Sequence, residues 1–440
     1  MVLMMAIVAP LLMLFGIPVW LILVIISLIS IVFFIDMPLS IMPQTMFGSL
    51  NEFALMAIPL FILAGYLMGT GSIAVRLINW TKSLTGNLPG GSLITTVGVN
   101  TVFGVISGSA PAVTATLGKI LYPELRKEGY SGHFSAGLLA ATGALDTIIP
   151  PSINMILFAA TANVSVAQLF LAGFVPSIIL AIMIGGYCYL YGRFNRPVPA
   201  DPSQVSAKPP RLFEAPLARL KIIGRETRGA SLAMGVPVII FAGIYSGIAT
   251  PTEVAAIACL YALIVSTILY RELNGPALAE AIKQAGYVTA QIFMIMAAAG
   301  LFAWVLVIGE IPQDLVNFIE SLGWSWWMVL LLINVLLLVV GMFMDPVSAI
   351  VILTPLLKPL ALSIGLDPIH FGTIMVVNLA IGLFTPPFGL NLFVVMSVCK
   401  VPMAQIVRGL WPILSLYLIA LMLVSYIPAL SLWLPTLVYR

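Results

Sequence analysis

Two stretches of this chain place hydroxyl-bearing, acidic and small residues next to prolines inside otherwise apolar sequence. The first contains Ser107, Gly108, Ser109 and Pro111, followed by Gly143, Asp146, Pro150-Pro151 and Asn154. The second contains Asp345, Pro346 and Ser348, followed by Gly382, Thr385, Pro386-Pro387 and Asn391. Both stretches follow the same order, with a break at small residues and proline, an apolar return, and an apolar helix interrupted by a Pro-Pro pair.

These residue types suit the binding of a small hard cation. Proline lacks an N–H, so each Pro-Pro pair leaves upstream carbonyl oxygens without their helical partners. Unwound backbone carbonyls inside membrane proteins are typical Na⁺ ligands. We therefore predict one Na⁺ site from Ser107, Gly108, Ser109, Gly143, Asp146 and Pro150. We predict a second from Asp345, Pro346, Ser348, Gly382 and Thr385.

Several of these residues also fit structural roles. The prolines alone would kink a helix, although two Pro-Pro pairs at matched positions favour a binding site. Carboxylates within membrane segments are costly and indicate function, yet Asp345 equally suits the N-cap of a helix. We predict substrate contacts at Ser109, Asn154 and Asn391, while the two asparagines fit interhelical hydrogen bonds equally well.

The composition identifies the kind of protein that must position these residues. Of the 440 residues, 61% are hydrophobic and 8% are charged, whereas soluble domains carry about 25% charged residues. A membrane span needs about 20 apolar residues, and many such runs follow one another here. The chain is therefore predicted to be an all-α polytopic membrane protein. Its apolar N-terminus lacks a cleavage signal and is expected to stay as a membrane segment.

Composition and motifs also exclude several functions. The net charge of +3 gives no indication of nucleic-acid binding. The three cysteines are scattered without a CxxC, and the two histidines are isolated, so neither a disulfide framework nor a metal cluster is indicated. The sequence has no GxxxxGK[ST] phosphate-binding loop and no pairing of a nucleophile with a base. We therefore expect neither an ATP-driven pump nor an enzyme.

Apolar runs predict the membrane segments. Residues 1–35 form either one kinked helix or a short leading segment and a span, and residues 74–84 form an amphipathic interfacial helix. Spans are predicted over 53–68, 134–160, 167–191, 230–245, 255–270, 288–308, 371–398 and 411–432, of which 134–160 and 371–398 are broken by Pro-Pro pairs. Residues 92–127 and 328–360 break at small residues and return, which predicts two re-entrant hairpins.

The basic residues predict the orientation. Residues 193–229 form a linker with eight of the 19 basic residues, and such segments lie in the cytoplasm. Counted from this linker, the first hairpin enters from the cytoplasm and the second from the periplasm, where residues 310–320 form an acidic loop. Lys358 is the basic residue that does not fit. Matched sequences with opposite topology predict an inverted repeat, with halves 1–192 and 230–440.

At these motifs the chain resembles the large membrane subunit of the TRAP transporters, the tripartite ATP-independent periplasmic family. The matching stretches are 107–119, 143–156, 243–253, 341–356 and 377–393. The resemblance implies a secondary transporter of a bacterial or archaeal cytoplasmic membrane, driven by a Na⁺ gradient and working as an elevator. Asp146-Thr147 departs from the pattern, since many relatives are more apolar there or carry glycine and proline.

The same resemblance implies partners. It implies a small four-helix membrane subunit, absent from this chain, which would make the chain the unfused type. It also implies a periplasmic substrate-binding protein that delivers a small organic acid. Carboxylates, sulfonates, sialic acid and compatible solutes all stay open as substrates.

Two other functions compete with this interpretation. A related Na⁺ symporter of divalent anions would work without a binding protein. A channel or a structural membrane subunit is the third alternative. A channel would need a continuous polar path or a ring of charges, whereas the sequence offers two separate break sites.

Overall fold

The computed structural model describes residues 1–69, 73–86, 88–195 and 216–439, without the side chains of 216–220. Twenty α-helices and no strand occur among these residues. Within them, seven helices are long and apolar enough to cross a membrane. The number rises to eight if the bent pair Ile41–Leu50 and Phe53–Gly69 is one span. The predicted class, an all-helical protein with several membrane segments, is confirmed.

The N-terminal part forms five helices. The apolar stretch over 1–35 is two helices, because the backbone turns at Gly16, whose φ of +73° favours glycine. A helix that the sequence did not predict precedes the span expected over 53–68, and the two are bent by 62°. The helices are α1 (Val2–Leu14), α2 (Val19–Ser30, extended by a π turn at Ile31–Ile35), α3 (Ile41–Leu50), α4 (Ala57–Gly69) and α5 (Ile73–Thr85).

The next five helices carry the first candidate stretch. Helix α6 ends at Gly108, whose φ of +63° is left-handed, and α7 begins directly after Ser109 with Pro111 in its first turn. Helix α8 gives way to a 3₁₀ turn at Ala144–Thr147, and the chain passes Pro150-Pro151 before α9 starts. The helices are α6 (Gly91–Ser107), α7 (Ala110–Lys127), α8 (Gly132–Gly143), α9 (Ile153–Ala162) and α10 (Val166–Phe194).

The middle of the chain contains two segments that were predicted from the charge pattern, the linker at 193–229 and the loop at 310–320. Residues 196–215 of the expected linker lie outside the described residues, and the remainder of it is largely the start of a helix. The expected loop at 310–320 is wrong, because Val316 and Ile319 are buried at helical spacing and Pro312 starts the helix. The helices are α11 (Pro216–Tyr245), α12 (Pro251–Ile264, extended by a π turn at Val265–Leu269), α13 (Gly275–Ile308) and α14 (Ile311–Ser321).

The last six helices carry the second candidate stretch. Helix α17 ends at Gly382, and α18 begins only after Pro386-Pro387 and Gly389. The span expected over 411–432 ends earlier, at Tyr426, because Pro428 starts a separate helix. The helices are α15 (Trp326–Phe343), α16 (Pro346–Ser363), α17 (Pro368–Gly382), α18 (Leu390–Cys399), α19 (Met403–Tyr426) and α20 (Ala429–Val438).

The two halves pack into one another. Helix α8 packs on α19, α9 on α16, and α7 on α18. The Tyr417 hydroxyl donates a 2.8 Å hydrogen bond to the carbonyl of Ala141. The ammonium of Lys358 lies 2.5 Å from the carbonyl of Ala162, the last residue of α9. Because cations stabilise the carbonyl end of a helix, this contact explains the basic residue that does not fit the charge pattern.

Side chains of α5 form ion pairs with residues of both halves of the chain. Lys82 forms an ion pair with Glu124 of α7. Arg76 of the same helix lies 3.4 Å from Glu272 and 4.2 Å from the ring centre of Tyr270. After the end of α7, burial raises the pKa of Glu128, and a 2.6 Å hydrogen bond from Ser92 lowers that pKa in part.

Candidate functional site

A single cavity of about 900 Å³ brings the two candidate stretches together. The connection between α6 and α7 reaches it at 107–111, and the connection between α15 and α16 reaches it at 345–348. We call these connections the first tip and the second tip. Seven of the predicted site residues line the cavity: Ser107, Gly108, Ser109, Asn154, Asp345, Pro346 and Ser348.

Four helices begin at this cavity. The lining contains residues from the first turns of α7, α9, α16 and α18, represented by Pro111, Asn154, Val347 and Leu390. The first N–H groups of a helix have no intrahelical partner, and the helix dipole makes this end partially positive. Such ends bind anions. Among the described residues that line the cavity there is no Lys, Arg or His, so positive potential from the protein comes from these helix ends.

The first tip exposes a hydroxyl that the fold does not use. Ser109 is the N-cap of α7, in extended conformation, and its side chain makes no capping hydrogen bond. Ser and Thr at this position usually accept a bond from the first turn. Since Ser109 also lines the cavity, its hydroxyl is available to an ion or substrate there.

Asp146 lies next to the first tip and has no partner. Its side chain is fully buried, and among the described residues neither carboxylate oxygen has a hydrogen bond. Asp146 does not line the cavity, but its neighbour Thr147 does. A buried carboxylate without a partner is costly, and a cation bound between it and the first tip would remove that cost.

Gly143 and Asn391 meet outside the cavity lining. A Cβ on Gly143 would collide with the Thr114 hydroxyl and lie 3.3 Å from Nδ2 of Asn391. That nitrogen donates a 3.1 Å hydrogen bond to the carbonyl of Ala140, which favours the interhelical role for Asn391. The Asn391 side-chain oxygen and the Thr114 hydroxyl are both buried without a partner. Thr114 therefore adds an oxygen that the sequence had not indicated.

The second tip combines capping with access to the cavity. Both oxygens of Asp345 bind Ser348, one accepting from its backbone N–H at 3.0 Å and the other from its hydroxyl at 2.7 Å. Asp345 is therefore the N-cap of α16, as the structural alternative predicted. Because the same carboxylate lines the cavity, capping leaves it in a position to contact a cation.

The remaining predicted ligands lie away from the lining. Gly382 packs against the backbone of Gly341, where a Cβ would lie 2.5 Å from the Gly341 Cα. The Thr385 hydroxyl donates a 2.6 Å bond to the carbonyl of Ile381. Pro150 is buried as well, and the neighbouring Thr147 carbonyl accepts a 2.5 Å bond from the Ser152 hydroxyl. Side chains therefore satisfy part of the backbone at both breaks.

Sequence reasoning missed one whole part of the cavity. Helices α2, α4 and α13 contribute aromatic and neutral polar side chains to the lining: Trp20, Tyr66, Tyr287 and Gln291. These residues occur in ordinary span sequences, and no local signal separates them from residues that face lipid. Among the described residues, no three His, Cys, Asp or Glu side chains are grouped as they would be in a transition-metal site. The available ligands are hydroxyl, amide, backbone and carboxylate oxygens.

Comparison with known families decides what kind of protein carries this cavity. Residues 4–430 match the model of the tripartite ATP-independent periplasmic transporter family, DctM component. The chain belongs to this family. The resemblance seen in the five sequence motifs is confirmed, and the family is one of membrane transporters.

Several curated TRAP permeases are similar along most of the chain. The C4-dicarboxylate TRAP transporter large permease protein DctM of Pseudomonas aeruginosa is 40% identical, covering 89% of this chain and 88% of that protein. The isethionate TRAP transporter permease protein DctMQ of Oleidesulfovibrio alaskensis is 37% identical over 95% of this chain, which spans 64% of that longer protein. The ectoine/5-hydroxyectoine large permease UehC of Ruegeria pomeroyi is 34% identical, covering 90% of each chain.

A solved structure shares the fold. The YdaH transporter of Alcanivorax borkumensis superposes with a TM-score of 0.62, covering 88% of each chain at 15% sequence identity. At that identity the likeness concerns the fold alone. This TRAP family chain therefore shares its fold with the YdaH transporter.

Proposed function

We propose that this chain is the large permease of a Na⁺-driven importer of a small organic anion. The observation that carries the proposal is the single cavity at which both tips and four helix N-termini meet. Helix ends of this kind bind anionic groups, and the unwound segments beside them bind cations. A site that binds an anionic substrate together with Na⁺ needs helix ends for the anion and unwound segments for the cation.

Two Na⁺ ions fit the donor set. The first would use the first tip and Asp146, whose carboxylate is buried without a partner. The second would use the second tip, where Asp345 lines the cavity. Of the other predicted ligands, Gly143, Pro150, Gly382 and Thr385 lie outside the lining and would take part through their backbone carbonyls. Each site pairs a carboxylate with neutral oxygens, which suits a monovalent cation.

The order of elements supports an inverted repeat with two re-entrant hairpins. Helices α6, α7, α8, α9 and α10 have the same sequence of hairpin, broken helix and long helix as α15, α16, α17, α18 and α19. The arms of 17 and 18 residues in the first pair match two arms of 18 residues in the second. Arms of this length that meet at a polar tip are expected to turn back within the membrane, one from each side.

The division of the cavity lining between two groups of helices supports an elevator mechanism. The tips and broken helices contribute the ion and anion sites, whereas α2, α4 and α13 contribute neutral side chains. In the mechanism we propose, the tips and broken helices move together across the membrane against α2, α4 and α13. Substrate and ions would then face the two sides in turn.

The proposed partners follow from family membership. They are a small four-helix membrane subunit and a periplasmic substrate-binding protein, in a complex in the cytoplasmic membrane of a bacterium or archaeon. The relatives are named for dicarboxylate, isethionate and ectoine, which fits small organic acids and related solutes. None of these three names describes a channel or a symporter that works without a binding protein.

Reconstituted uptake tests this proposal. The chain would be co-purified with its small subunit, placed in proteoliposomes with an inward Na⁺ gradient, and supplied with the binding protein outside. Radiolabelled succinate, isethionate, ectoine and sialic acid would be compared. We expect uptake of one class that requires both Na⁺ and the binding protein. Equal uptake without the binding protein would instead establish the independent symporter, and uptake without saturation would indicate a channel.

A further inference from the structure

A second cavity, of about 380 Å³, lies where the end of α14, the start of α15 and the end of α16 meet. Small-molecule sites typically have volumes of about 300–1,000 Å³. Glu320, Trp324 and Trp326 line this cavity, together with Ser363 and apolar side chains. Neither tip is part of the lining, so the transport site does not account for these residues. We call it the interfacial cavity.

Part of the interfacial cavity suits a cation. Glu320 is exposed, and its carboxylate forms no ion pair within the part of the chain that the structure describes. The sequence from 284 to 357 contains no Lys, Arg or His that could neutralise it. Trp324 and Trp326 line the same cavity, and the face of an indole ring attracts ammonium groups. A carboxylate beside two indoles therefore favours an ammonium group from another molecule.

Another part of the interfacial cavity suits an anion. Trp326 is the first residue of α15, and Val329 one turn later also lines the cavity. The N-cap residue Ser325 makes no capping hydrogen bond through its side chain. The first N–H groups of a helix lack intrahelical acceptors, and the helix dipole favours negative charge at this end. A cavity that favours an ammonium group and an anion side by side matches a zwitterion better than a lone cation.

The interfacial cavity lies at the end of a helix that is suited to cross a membrane. Helix α15 is long and apolar enough to span it. At its start, Trp324, Trp326 and Trp327 are 41%, 50% and 48% exposed, and Leu322 just before them is exposed as well. Exposed tryptophans at the end of a span typically lie at the level of the lipid headgroups. Lipid headgroups are therefore the zwitterions that surround this cavity.

We propose that the interfacial cavity binds the headgroup of a phospholipid that carries an ammonium group, such as phosphatidylethanolamine. The ammonium group lies against Glu320 and the two indoles, and the phosphate lies at the start of α15. Leu331, Val335 and Val339 are exposed at four-residue spacing on one face of α15, and this face contacts the acyl chains. An anionic lipid such as phosphatidylglycerol brings no ammonium group and is repelled by Glu320. A basic side chain of a protein partner would pair with Glu320 but would leave the start of α15 without an anion.

Lipid binding to the purified complex tests this site. The chain, purified with its small subunit and delipidated in detergent, would be titrated with phosphatidylethanolamine or phosphatidylglycerol of identical acyl chains, and bound lipids would be measured by native mass spectrometry. Comparing variants with wild type separates this cavity from other lipid sites. We expect Glu320→Gln to weaken the tightest phosphatidylethanolamine binding at least about fivefold, and Trp324→Leu to weaken it about threefold. Phosphatidylglycerol binding should not weaken in either variant. Asp314→Asn is the control, because it removes a charge from an exposed position of α14 outside the lining.

The outcomes are distinct. Weaker phosphatidylethanolamine binding in Glu320→Gln and Trp324→Leu, with wild-type binding in Asp314→Asn, supports the lipid site. Unchanged phosphatidylethanolamine binding in the first two variants would overturn it, and so would an equal loss in Asp314→Asn, which would indicate a general effect of charge. If Glu320→Gln leaves lipid binding unchanged but weakens binding of the purified periplasmic binding protein, the cavity accepts a basic side chain of that protein and the lipid assignment is wrong. None of these results depends on Na⁺-driven uptake, so the proposed function is tested separately.

Discussion

Asp146 and Gly104 are in direct backbone contact. A Cβ on Gly104 would lie 2.9 Å from the Asp146 Cα and 3.2 Å from its Oδ1. The carboxylate is therefore held against the arm of the first tip, where no side chain fits between them. This contact places an unpartnered carboxyl group next to the residues that line the cavity.

Gly104→Ala should disturb this contact. The added methyl group meets backbone rather than a flexible side chain, so we expect a loss of about 1–3 kcal/mol in the free energy of unfolding, as for other overpacked sites. Thermal melts of the purified protein measure it. Gly185→Ala is the control, because nothing lies within 4 Å of a Cβ there and alanine favours helix. A Gly104→Ala variant as stable as the control would contradict the contact.

Asp146→Asn separates a cation ligand from a structural residue. Asparagine keeps the size of the side chain but cannot ionise, so we expect Asp146→Asn to reduce the increase in melting temperature that Na⁺ produces. The measurement is a thermal melt over a NaCl series with KCl keeping the ionic strength constant. Ser135→Ala is the control, since that hydroxyl is also buried without a partner but lies near the start of α8, eleven residues before Asp146. An unchanged Na⁺ effect in Asp146→Asn would show that this carboxylate binds no Na⁺.

Asp345→Asn tests whether the second carboxylate does more than cap a helix. Asparagine is as good an N-cap as aspartate, so stability should stay within about 1 kcal/mol of wild type. We expect Na⁺-dependent uptake to fall sharply, because one charged ligand is lost. Asp367→Asn is the control, since Asp367 is the N-cap of α17 and accepts from the backbone N–H groups of Ile369 and His370 but does not line the cavity. Equal uptake by the two variants would leave capping as the sole role of Asp345.

Cysteine labelling can test the orientation of the chain in the membrane. We expect a membrane-impermeant maleimide to label Gln313→Cys on α14 from the periplasm of spheroplasts, and Lys208→Cys in the basic linker only after permeabilisation. The native Cys188, Cys259 and Cys399 are buried and give little background. Labelling of position 208 in intact spheroplasts would reverse the assigned topology.

Glycine and proline act on the backbone locally, so their effect can be read from the sequence. Gly108 adopts the left-handed conformation directly after α6, and α9 and α18 begin only after the proline pairs. The N-cap role of Asp345 is equally local. Such features depend on neighbours in the chain and not on the packing of distant elements.

The composition of the site depended on tertiary contacts and was only partly predictable. Gly382 was predicted as a Na⁺ ligand and packs against Gly341, while Asn391 was predicted as a substrate contact and donates a hydrogen bond to the carbonyl of Ala140. Thr114 meets Gly143 from another helix, and Trp20 reaches the cavity from a span that looks ordinary in sequence. Which residues of different helices meet is decided by packing, and periodicity alone does not encode it.

Na⁺ coupling is the central claim, and the initial rate of uptake over a Na⁺ series tests it most directly. Proteoliposomes with the full complex and binding protein would be assayed with KCl replacing NaCl at constant ionic strength. With two Na⁺ sites, the rate should rise more steeply than the first power of the Na⁺ concentration, and K⁺ should not support uptake. Asp146→Asn should lower that steepness toward first order. Wild-type uptake that proceeds equally well in KCl alone would contradict the account of both tips.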